Sequence, residues 1–383
     1  MAPKLLEGLR IADMSMMLFG PYCTQVLADL GADVIKLEPQ GGDQARGVGK
    51  PVKTRGMGAL HMNLNRGKRS VVWDTRSEEG RRAMEALLKT SDVFIHNIRA
   101  KAAERLGLDY ETVRRIKPDI VYVHCVGFGS GGPYESLQAF DDVIQAGSGL
   151  ASLATRVDGD PQPRYVPTAI ADKVAGLHAL YATLAGVIHK LRTGEGQYIE
   201  VPMLESLTSF TLLDHLVGYA FSPPTGPMGH AHQLDPSRRP VRTKDGYVSI
   251  APYAPARWIA LFEAAGHPEV LENLDLRQSG QPGVGSLLNT GLAQIGPERT
   301  TEEWLALCQE HEVPAMRVNS LEDLFDDPHL KAVGFLRERR HPTEGGYIEV
   351  QPPVKFSARP TPEIEPAPLV GQHSEEVLRE LGL

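Results

Sequence analysis

Residues 9–38 read LRIADMSMMLFGPYCTQVLADLGADVIKLE, and this stretch predicts a strand, a helix and a second strand. LRIADMS and ADVIKLE are short, largely apolar runs that are typical of strands. Between them, Gly20-Pro21 opens a helical segment, with proline at a favoured first-turn position, and Gly31 closes it. A strand–helix–strand unit joins parallel strands, so the stretch predicts the start of a parallel sheet covered by helices.

The same alternation continues along the next part of the chain. Apolar runs predict further strands in SVVWD, DVFIHN and DIVYVHCV. A helix is predicted from Ser77, where Glu78 and Glu79 suit the positive end of the helix dipole. Short helical pieces follow in AAERLGLDYETVRRI. Alternating strands and helices predict an α/β fold, with a Rossmann-like doubly wound parallel sheet.

The second half of the chain changes character after residue 220. The longest helical pattern spans Ile170–Arg192, and seven apolar residues fall on one stripe at helical spacing. They are Val174, Leu177, Tyr181, Leu184, Val187, Ile188 and Leu191. Residues 221–240 are rich in proline and glycine and predict a long linker. RTKDGYVSIAP then predicts a hairpin with Asp-Gly at its turn. This shift in composition predicts a smaller α+β domain over residues 226–330 and a large domain over residues 1–225.

Composition limits the functional classes. The 383 residues carry a net charge of −8, which argues against a nucleic-acid partner. The apolar stretch LTSFTLLDHLVGYAF is interrupted by Asp214 and His215, so no membrane span is expected. The N-terminal residues lack the apolar core of a secretory signal. Three scattered cysteines predict neither a disulfide framework nor a zinc site, and no metal site is expected. A cytoplasmic location is the interpretation that fits.

A basic run lies between Gln44 and Trp73, where the chain has no acidic residue. Its cations are Arg46, Lys50, Lys53, Arg55, Arg66, Lys68 and Arg69. One interpretation is a solvated basic face. The other is a landing site for a polyanionic small molecule, because guanidinium groups bind phosphates bidentately.

Residues 127–133, GFGSGGP, contain the G-x-G-x-x-G spacing of a dinucleotide-binding loop. In that motif the glycines follow the first strand and open a helix, and an acid ends the next strand about 20 residues on. Here the motif follows a later strand and is closed by Pro133, although Glu38 does end the second strand. The position of the glycines therefore argues against a nicotinamide enzyme.

Asp172 is predicted in the first turn of the long helix. An acid in this position is most often a cap or first-turn residue. The alternative uses the same physics, because a carboxylate at the positive end of a helix stays ionised and available as a nucleophile or base. Spacing alone does not decide between the two.

Several blocks of the chain, taken together and in order, resemble the class III CoA-transferase family. This group contains formyl-CoA transferase, carnitine CoA-transferase and α-methylacyl-CoA racemase. The blocks are GPYCTQVLADLGADVIKLE, LNRGKRSVVWD, FIHNIRAKAAERLGLDYE, IVYVHCVGFGSGGPY, FDDVIQAGSGL, ADKVAGLHALYATLAGVIHKLRTGEGQYIEVPMLE and LVGQHSEEVLRELGL. The resemblance implies that residues 331–383 return to complete the large domain. It also implies an interlocked homodimer.

The resemblance also implies the chemistry of the site. Asp172 matches the family's nucleophile, which attacks an acyl-CoA thioester to give a mixed aspartyl anhydride and CoA thiolate. A free carboxylic acid then accepts the acyl group, and CoA leaves as the new thioester. Coenzyme A and acyl-CoA are thus substrates, and no tightly bound cofactor is implied. The implied CoA-contacting residues are Leu18, Trp73, Arg76, Asn97, Ile98, Arg99, Arg105 and Asp141. The glycine-rich loops GFGSGGP and AGSGL are expected to supply backbone N–H groups to the oxyanion.

Positions where this chain differs from the family pattern limit the choice of substrate and reaction. Formyl-CoA transferases carry His and Gln where this chain has Met16 and Leu18, which favours an acid less polar than oxalate. The racemases pair the aspartate with a histidine at the position of Phe140, so two-base epimerisation is not expected here. Two alternatives to the transferase remain: an acyl-CoA racemase or isomerase, and a non-catalytic acyl-CoA-binding homologue.

Overall fold

The computed structural model describes residues 4–358 and 363–383, so short parts of the predicted large domain lie outside the described residues. Up to residue 215 the strands and helices are β1 (Arg10–Met14), α1 (Phe19–Asp29), β2 (Asp33–Glu38), α2 (Ala59–Leu64), β3 (Arg69–Val72), α3 (Glu78–Thr90), β4 (Val93–His96), α4 (Ala100–Leu106), α5 (Tyr110–Ile116), β5 (Val121–Val126), α6 (Asp141–Gly147), α7 (Leu153–Asp158), α8 (Ile170–Thr193), β6 (Gln197–Pro202) and α9 (Met203–His215). They are followed by β7 (Val241–Arg242), β8 (Tyr247–Ile250), α10 (Pro255–Ala265), α11 (Pro282–Ile295), α12 (Thr301–Glu310), β9 (Ala315–Arg317), α13 (Pro328–Ala332), β10 (Leu336–His341), β11 (Gly345–Val350) and α14 (Ser374–Glu380).

Six strands form one parallel sheet, which confirms the predicted α/β class. The strand order is β3-β2-β1-β4-β5-β6, and each neighbouring pair is parallel. The chain moves outward from β1 to β3 and then returns to place β4 on the other side of β1. In open α/β sheets, ligands bind outside the carboxyl ends of the strands at such a reversal. The loops after β1 and β4 are therefore where a site is expected.

The sheet is buried because its strands are nearly continuous apolar runs. All four residues of β4 and the first five of β5 are buried. On one face, Leu87 and Leu88 of α3 and Val377 of α14 pack in one core with Phe94. The C-terminal segment thus returns to the sheet, and the N–H of His373 donates to the carbonyl of Ser70 at 2.9 Å.

The chain divides into two compact units. The large unit comprises Met1–Ser148, Tyr165–Phe210 and His329–Leu383, and the small unit comprises Gly149–Arg164 and Thr211–Pro328. Within the small unit β7, β8 and β9 form an antiparallel sheet, which includes the predicted hairpin. Its core contains Trp258, Phe262 and Trp304. The boundaries derived from the sequence, residues 1–225 with 331–383 and residues 226–330, remain a prediction.

Helix α8 forms as predicted, but its apolar stripe is divided: Val174 and Val187 are buried, whereas four other members are exposed. Leu177, Tyr181, Ile188 and Leu191 are exposed in this chain. The buried side is lined instead by small residues and valines, namely Ala171, Val174, Ala175, Gly176, Ala179, Thr183, Gly186 and Val187. A Cβ at Gly186 would lie only 2.7 Å from Val121 Cγ1, so this side approaches the sheet closely. Helical spacing correctly predicted the helix, but it did not identify which side of the helix packs against the sheet.

Helix α8 also has the length and hydropathy of a membrane span. Length and composition are the only criteria that it meets, and the core helix of a folded domain meets them equally well. In this chain α8 packs against α1, β5 and β6. This packing gives the apolar composition of α8 a role within the fold.

Four of the seven cations of the basic run form internal ion pairs, so the two interpretations of the run now apply only to the other three. Arg46 binds Glu38 at 2.6 Å and Arg66 binds Asp29 at 2.7 Å, and all four side chains are nearly inaccessible. Lys68 lies 3.5 Å from the buried Asp13, and Arg69 binds Asp33. Lys50, Lys53 and Arg55 remain exposed. The pairing acids come from β1, α1 and β2, which the local sequence does not reveal.

Candidate active site

Asp172 lies in the first turn of α8, and its side chain is half-buried. The residue before the helix, Ala169, has no side chain that can cap it. Asp141, the first residue of α6, takes that role. Its Oδ1 accepts hydrogen bonds from the N–H groups of Ala171 at 2.7 Å and Asp172 at 3.1 Å. Asp141 therefore fixes the backbone that carries Asp172 and places a second carboxylate next to it.

Gln145 secures this arrangement from one turn further along α6. Its side chain is buried, and its Nε2 donates to Asp141 Oδ2 at 2.7 Å. Its Oε1 accepts from the N–H of Val166 at 2.9 Å, and its Nε2 also lies 3.3 Å from the carbonyl of Thr168. One amide thus joins α6 to the loop that precedes α8. Gln145 was not predicted from the sequence, although its place four residues after Asp141 on a helix could have indicated the pair.

The N-terminus of α1 meets Asp172 because Gly176 has no side chain. A Cβ at Gly176 would lie 2.9 Å from the carbonyl oxygen of Phe19 and 3.0 Å from Tyr22 Cδ1. This close approach lets the N–H of Phe19 donate to the Asp172 carboxylate. Gly20 is equally constrained, since a Cβ there would lie 2.3 Å from Ser15 Cβ. The carboxylate therefore faces the first turns of two helices.

Burial, followed by the neighbouring charge of Asp141, raises the pKa of Asp172 from 3.8 to about 6. The N–H of Phe19 opposes this shift but does not outweigh it. The helix termini favour the ionised form, as expected from the sequence, but burial and the charge of Asp141 outweigh them, and neither could be predicted from spacing. At pH 7 most of the carboxylate is still ionised, and it is more basic than an exposed aspartate.

Leu18 belongs to the loop that joins β1 to α1. Hydrogen bonds with Asn97 and Asp43 fix the backbone of this loop. The Asn97 side chain accepts from the N–H of Met16 at 3.0 Å and donates to its carbonyl at 2.9 Å. Met17 has a left-handed backbone with φ 67°, and its N–H donates to Asp43 Oδ1 at 3.0 Å. Leu18 follows as the residue before α1 and directly precedes Phe19. Leu18, Asn97, Asp141 and Asp172 are thus joined by one set of contacts.

Ile98 lies in the loop after β4, which two histidines hold by its backbone. His96 Nδ1 accepts from the N–H of Ile98 at 3.1 Å, and His124 Nε2 donates to its carbonyl at 2.8 Å. The two rings are stacked with centroids 4.4 Å apart. Burial lowers the pKa of His96 and of His124, so both rings are neutral, as their partners require. Neither histidine was singled out from the sequence.

The remaining CoA candidates carry charge or an aromatic face at the surface. Arg99 directly precedes α4, Arg105 lies in its last turn, and both are exposed. Trp73 follows β3 half-buried, and no group in the described residues accepts from its buried Nε1. The exposed Arg76 binds Asp74 at 2.9 Å. Within the described residues, no recorded contact joins these four side chains to Asp172.

The GFGSGGP loop uses its backbone differently from the sequence-based expectation. The N–H of Gly129 donates to Glu205 Oε1 at 3.0 Å, and the N–H of Ser130 donates to Glu200 Oε1 at 2.9 Å. The N–H of Gly131 donates to Glu135 Oε2 at 3.0 Å. These three donors are therefore engaged by carboxylates and do not point to an oxyanion. The Glu205 carboxylate approaches this loop closely, since a Cβ at residue 129 would lie 2.6 Å from its Oε1.

A carboxylate with a raised pKa, placed beside loops at the carboxyl edge of a parallel sheet, is typical of an enzyme active site. Comparison with known proteins identifies the enzyme class. Residues 6–374 match the model of CoA-transferase family III, so the chain belongs to that family. It is a CoA-transferase that moves CoA from an acyl-CoA thioester to a free carboxylic acid.

Similar proteins support this assignment over almost the whole chain. The succinate–glutarate CoA-transferase of Agrobacterium fabrum is 33% identical over 390 residues, covering 98% of this chain and 95% of that one. The succinyl-CoA:mesaconate CoA-transferase of Haloarcula marismortui is 33% identical over 397 residues, covering 99% and 96%. A crystal structure of a CAIB/BAIF family protein from Brucella suis matches with a TM-score of 0.85 at 29% identity, covering 99% of this chain and 100% of that one.

Proposed function

We propose that Asp172 is the nucleophile of this CoA-transferase. The proposal rests on the state of the Asp172 carboxylate. This group is fixed between the first turns of α1 and α8, and its pKa is about 6. A carboxylate must be ionised to attack a thioester, and a more basic one is a stronger nucleophile. At pH 7 a pKa of about 6 meets both requirements.

The proposed reaction has three bond exchanges. A carboxylate oxygen of Asp172 attacks the thioester carbonyl, the C–S bond breaks, and CoA leaves as the thiolate. The acceptor carboxylate then attacks the acyl carbon, which frees Asp172 and forms an anhydride between the two acids. The thiolate attacks the acceptor's carbonyl, the new C–S bond forms, and the first acid leaves as its carboxylate. Protons are neither consumed nor released, so no separate acid–base pair is required.

We propose that the loops at the carboxyl edge of the Rossmann-like sheet bind CoA. Leu18, Asn97 and Ile98 lie in loops that buried side chains hold rigidly, and Trp73 offers a half-buried aromatic ring. The exposed guanidinium groups of Arg76, Arg99 and Arg105 are suited to phosphates. In this proposal Asp141 positions Asp172 and does not bind CoA directly. CoA enters and leaves as a substrate.

The acids in this proposal are short dicarboxylic acids. The similar proteins are named for succinate, glutarate and mesaconate, and each of these acids carries two carboxylates. We also propose an interlocked homodimer in the cytoplasm. The exposed Leu177, Tyr181, Ile188 and Leu191 of α8 supply an apolar surface of the kind that an obligate interface covers.

A mass-spectrometric assay in D2O tests this function. The enzyme is given a panel of acyl-CoA thioesters, with and without free mono- and dicarboxylic acids. New thioesters that form only with an acceptor, and without deuterium at the α-carbon, are the expected result. Deuterium at the α-carbon without a new thioester would identify an isomerase. Binding of acyl-CoA with no product of either kind would identify a non-catalytic homologue.

Two variants make the assay specific for the nucleophile. Asp172→Asn keeps the shape of the side chain but cannot form the anhydride, so transfer should stop while CoA affinity is kept. Asp142→Asn is the matched control, because it removes an exposed carboxylate from the same region. Hydroxylamine added during turnover should convert Asp172 to its hydroxamate, detected in the peptide that contains it. Substantial transfer by Asp172→Asn would remove this residue from the proposed role.

A further inference from the structure

The small unit contains a cavity of about 360 Å³ that lies wholly within that unit. Its apolar side is formed by Trp258, which is buried and stacked on Phe262, together with Ile250 and Pro252. Polar side chains, among them Tyr253, complete the lining. An apolar surface with a few converging polar groups is the usual form of a small-molecule site.

The charge of this cavity is opposite to that of the protein. The chain carries a net charge of −8, yet none of the described aspartates and glutamates lines the cavity, whereas Arg238 and Arg239 do. Neither guanidinium forms an ion pair with any residue that the structure describes, and both are exposed. Arg257 and Arg277, also in the small unit, are each bound by an acid, whereas Arg238 and Arg239 face a cavity lined by neutral groups and histidines. Two unpaired guanidinium groups at an acid-free cavity indicate an anionic ligand.

The nearest acid in sequence is committed to other partners. Asp235 is buried, and its Oδ1 accepts from the N–H of Ser237 at 2.8 Å and from the hydroxyl of Ser237 at 2.7 Å. Its Oδ2 accepts from the hydroxyl of Ser286 on α11. The loop that carries the two arginines is therefore fixed to α11 by a carboxylate that is engaged with neutral groups. The guanidinium groups stay available at a defined place.

Two histidines add hydrogen-bonding groups to the same cavity. The rings of His230 and His232 lie 6.3 Å apart, and His232 lies 6.5 Å from the ring of Tyr253. Burial, and then the charge of Arg238, lowers the pKa of His232, so its ring is neutral at pH 7. A neutral imidazole can donate one hydrogen bond without adding a third full charge.

We infer that this cavity binds a short-chain dicarboxylic acid. Arg238 and Arg239 hold a carboxylate, and the Trp258 side receives the methylene groups. The volume is at the lower end of the range for small-molecule sites, so it suits an acid of four or five carbons better than a whole CoA thioester. The identity of the ligand rests on the dicarboxylic acids of the proposed function, whereas the anionic character rests on the cavity alone.

Isothermal titration of glutarate into the full-length Asp172→Asn protein tests the inference, because this background prevents turnover. Glutarate should bind, and the added pair Arg238→Gln and Arg239→Gln should weaken binding at least tenfold. Arg277→Gln is the matched control, since it removes an exposed arginine of the same unit that does not line the cavity, and it should leave the affinity unchanged. Equal affinity in the double variant and the control would overturn the inference.

Further ligands separate this inference from the proposed function. Inorganic phosphate and CoA are titrated in parallel, and binding of these without glutarate at the two arginines would assign the cavity to phosphate and overturn the inference. With Asp172 restored, the double variant should show a raised KM for glutarate and an unchanged KM for the acyl-CoA donor. A raised KM for the donor with glutarate binding intact would contradict the role of these arginines in acid recognition. Failure of transfer in the unmodified enzyme would instead contradict the proposed function.

Discussion

The pKa of Asp172 makes the rate of transfer dependent on pH. Burial and the charge of Asp141 raise this pKa to about 6, and only the ionised carboxylate attacks the thioester. We expect kcat/KM to be nearly constant above pH 7 and to fall about tenfold per pH unit below about pH 6. The measurement is a pH–rate profile with a saturating acceptor acid. A profile that stays flat down to pH 5 would show that the attacking carboxylate has an ordinary pKa.

The same pKa shift predicts that the catalytic carboxylate destabilises the fold. Because its pKa rises from 3.8 to about 6 on folding, the folded state binds more protons between these values, and stability falls as the pH rises through them. We expect Asp172→Asn to raise the free energy of unfolding at pH 7 by at most ~3 kcal/mol. This increase in the free energy of unfolding should disappear below about pH 4, where the Asp172 carboxyl is protonated in both the folded and the unfolded state. Urea denaturation at both pH values measures it, and an unchanged or lower stability at pH 7 would contradict the shift.

A variant of Asp141 can distinguish whether this residue positions Asp172 or binds CoA. Asp141→Asn keeps an oxygen that can accept from the N–H groups of Ala171 and Asp172, but it removes the adjacent charge. The low-pH limb of kcat/KM should therefore move to lower pH, with KM for the CoA thioester unchanged. Asp142→Asn should leave the profile in place. A raised KM with an unmoved limb would mean that Asp141 contacts CoA.

At the scale of elements, sequence patterns predicted the sheet well because its strands are local apolar runs. Glycine and proline marked where helices begin and end, as at Gly20-Pro21 and Gly31. The patterns failed where partners are distant in sequence. Asp141 caps a helix that begins about 30 residues later, and Arg66 binds Asp29, which lies 37 residues earlier on α1. The β10–β11 hairpin was also missed, because β10 reads LRERRH and its single apolar residue does not give the pattern of a strand.

The crossing of α1 and α8 depends on one glycine, so it can be tested separately from the nucleophile. In Gly176→Ala the new Cβ would lie 2.9 Å from the carbonyl oxygen of Phe19, and α1 must shift away from Asp172. Overpacking of this kind costs about 1–3 kcal/mol of stability. We expect kcat to fall on the order of tenfold or more, because the Phe19 N–H leaves the carboxylate. Denaturation and steady-state kinetics measure the two effects.

Gly186→Ala is the matched control for that variant. It adds the same methyl group to the same helix, 2.7 Å from Val121 Cγ1, but about 15 Å from Gly176 along the axis. It should lower stability by a similar amount while leaving kcat close to that of the unmodified enzyme. If both variants lose activity in proportion to stability, the crossing has no specific role in placing Asp172.

At the scale of the whole molecule, the exposed apolar residues of α8 require an explanation. Leu191 is 79% exposed and Tyr181 61% exposed in the single chain, on a helix whose other side is buried by small residues. Exposed apolar residues grouped on one surface mark an interaction site. In α8 the small residues face the sheet and the large apolar residues face outward. This arrangement is expected of a helix that packs on one side within its own chain and on the other side against the partner in the proposed dimer.

Interlocking predicts how such a dimer exchanges its chains. Two closed chains that pass through each other cannot separate without opening, so exchange must be as slow as unfolding. We expect protein with two different affinity tags, mixed as folded homodimers, to form no doubly tagged species until denaturant unfolds it. Tyr181→Glu combined with Leu191→Glu should hinder assembly during refolding, whereas Val52→Glu, at an exposed apolar residue elsewhere in the large unit, should not. Pull-down detects the doubly tagged species, and light scattering measures the mass of the refolded variants. Exchange within hours under native conditions would mean that the dimer forms by surface contact alone, and a monomer at micromolar concentration would exclude the dimer altogether.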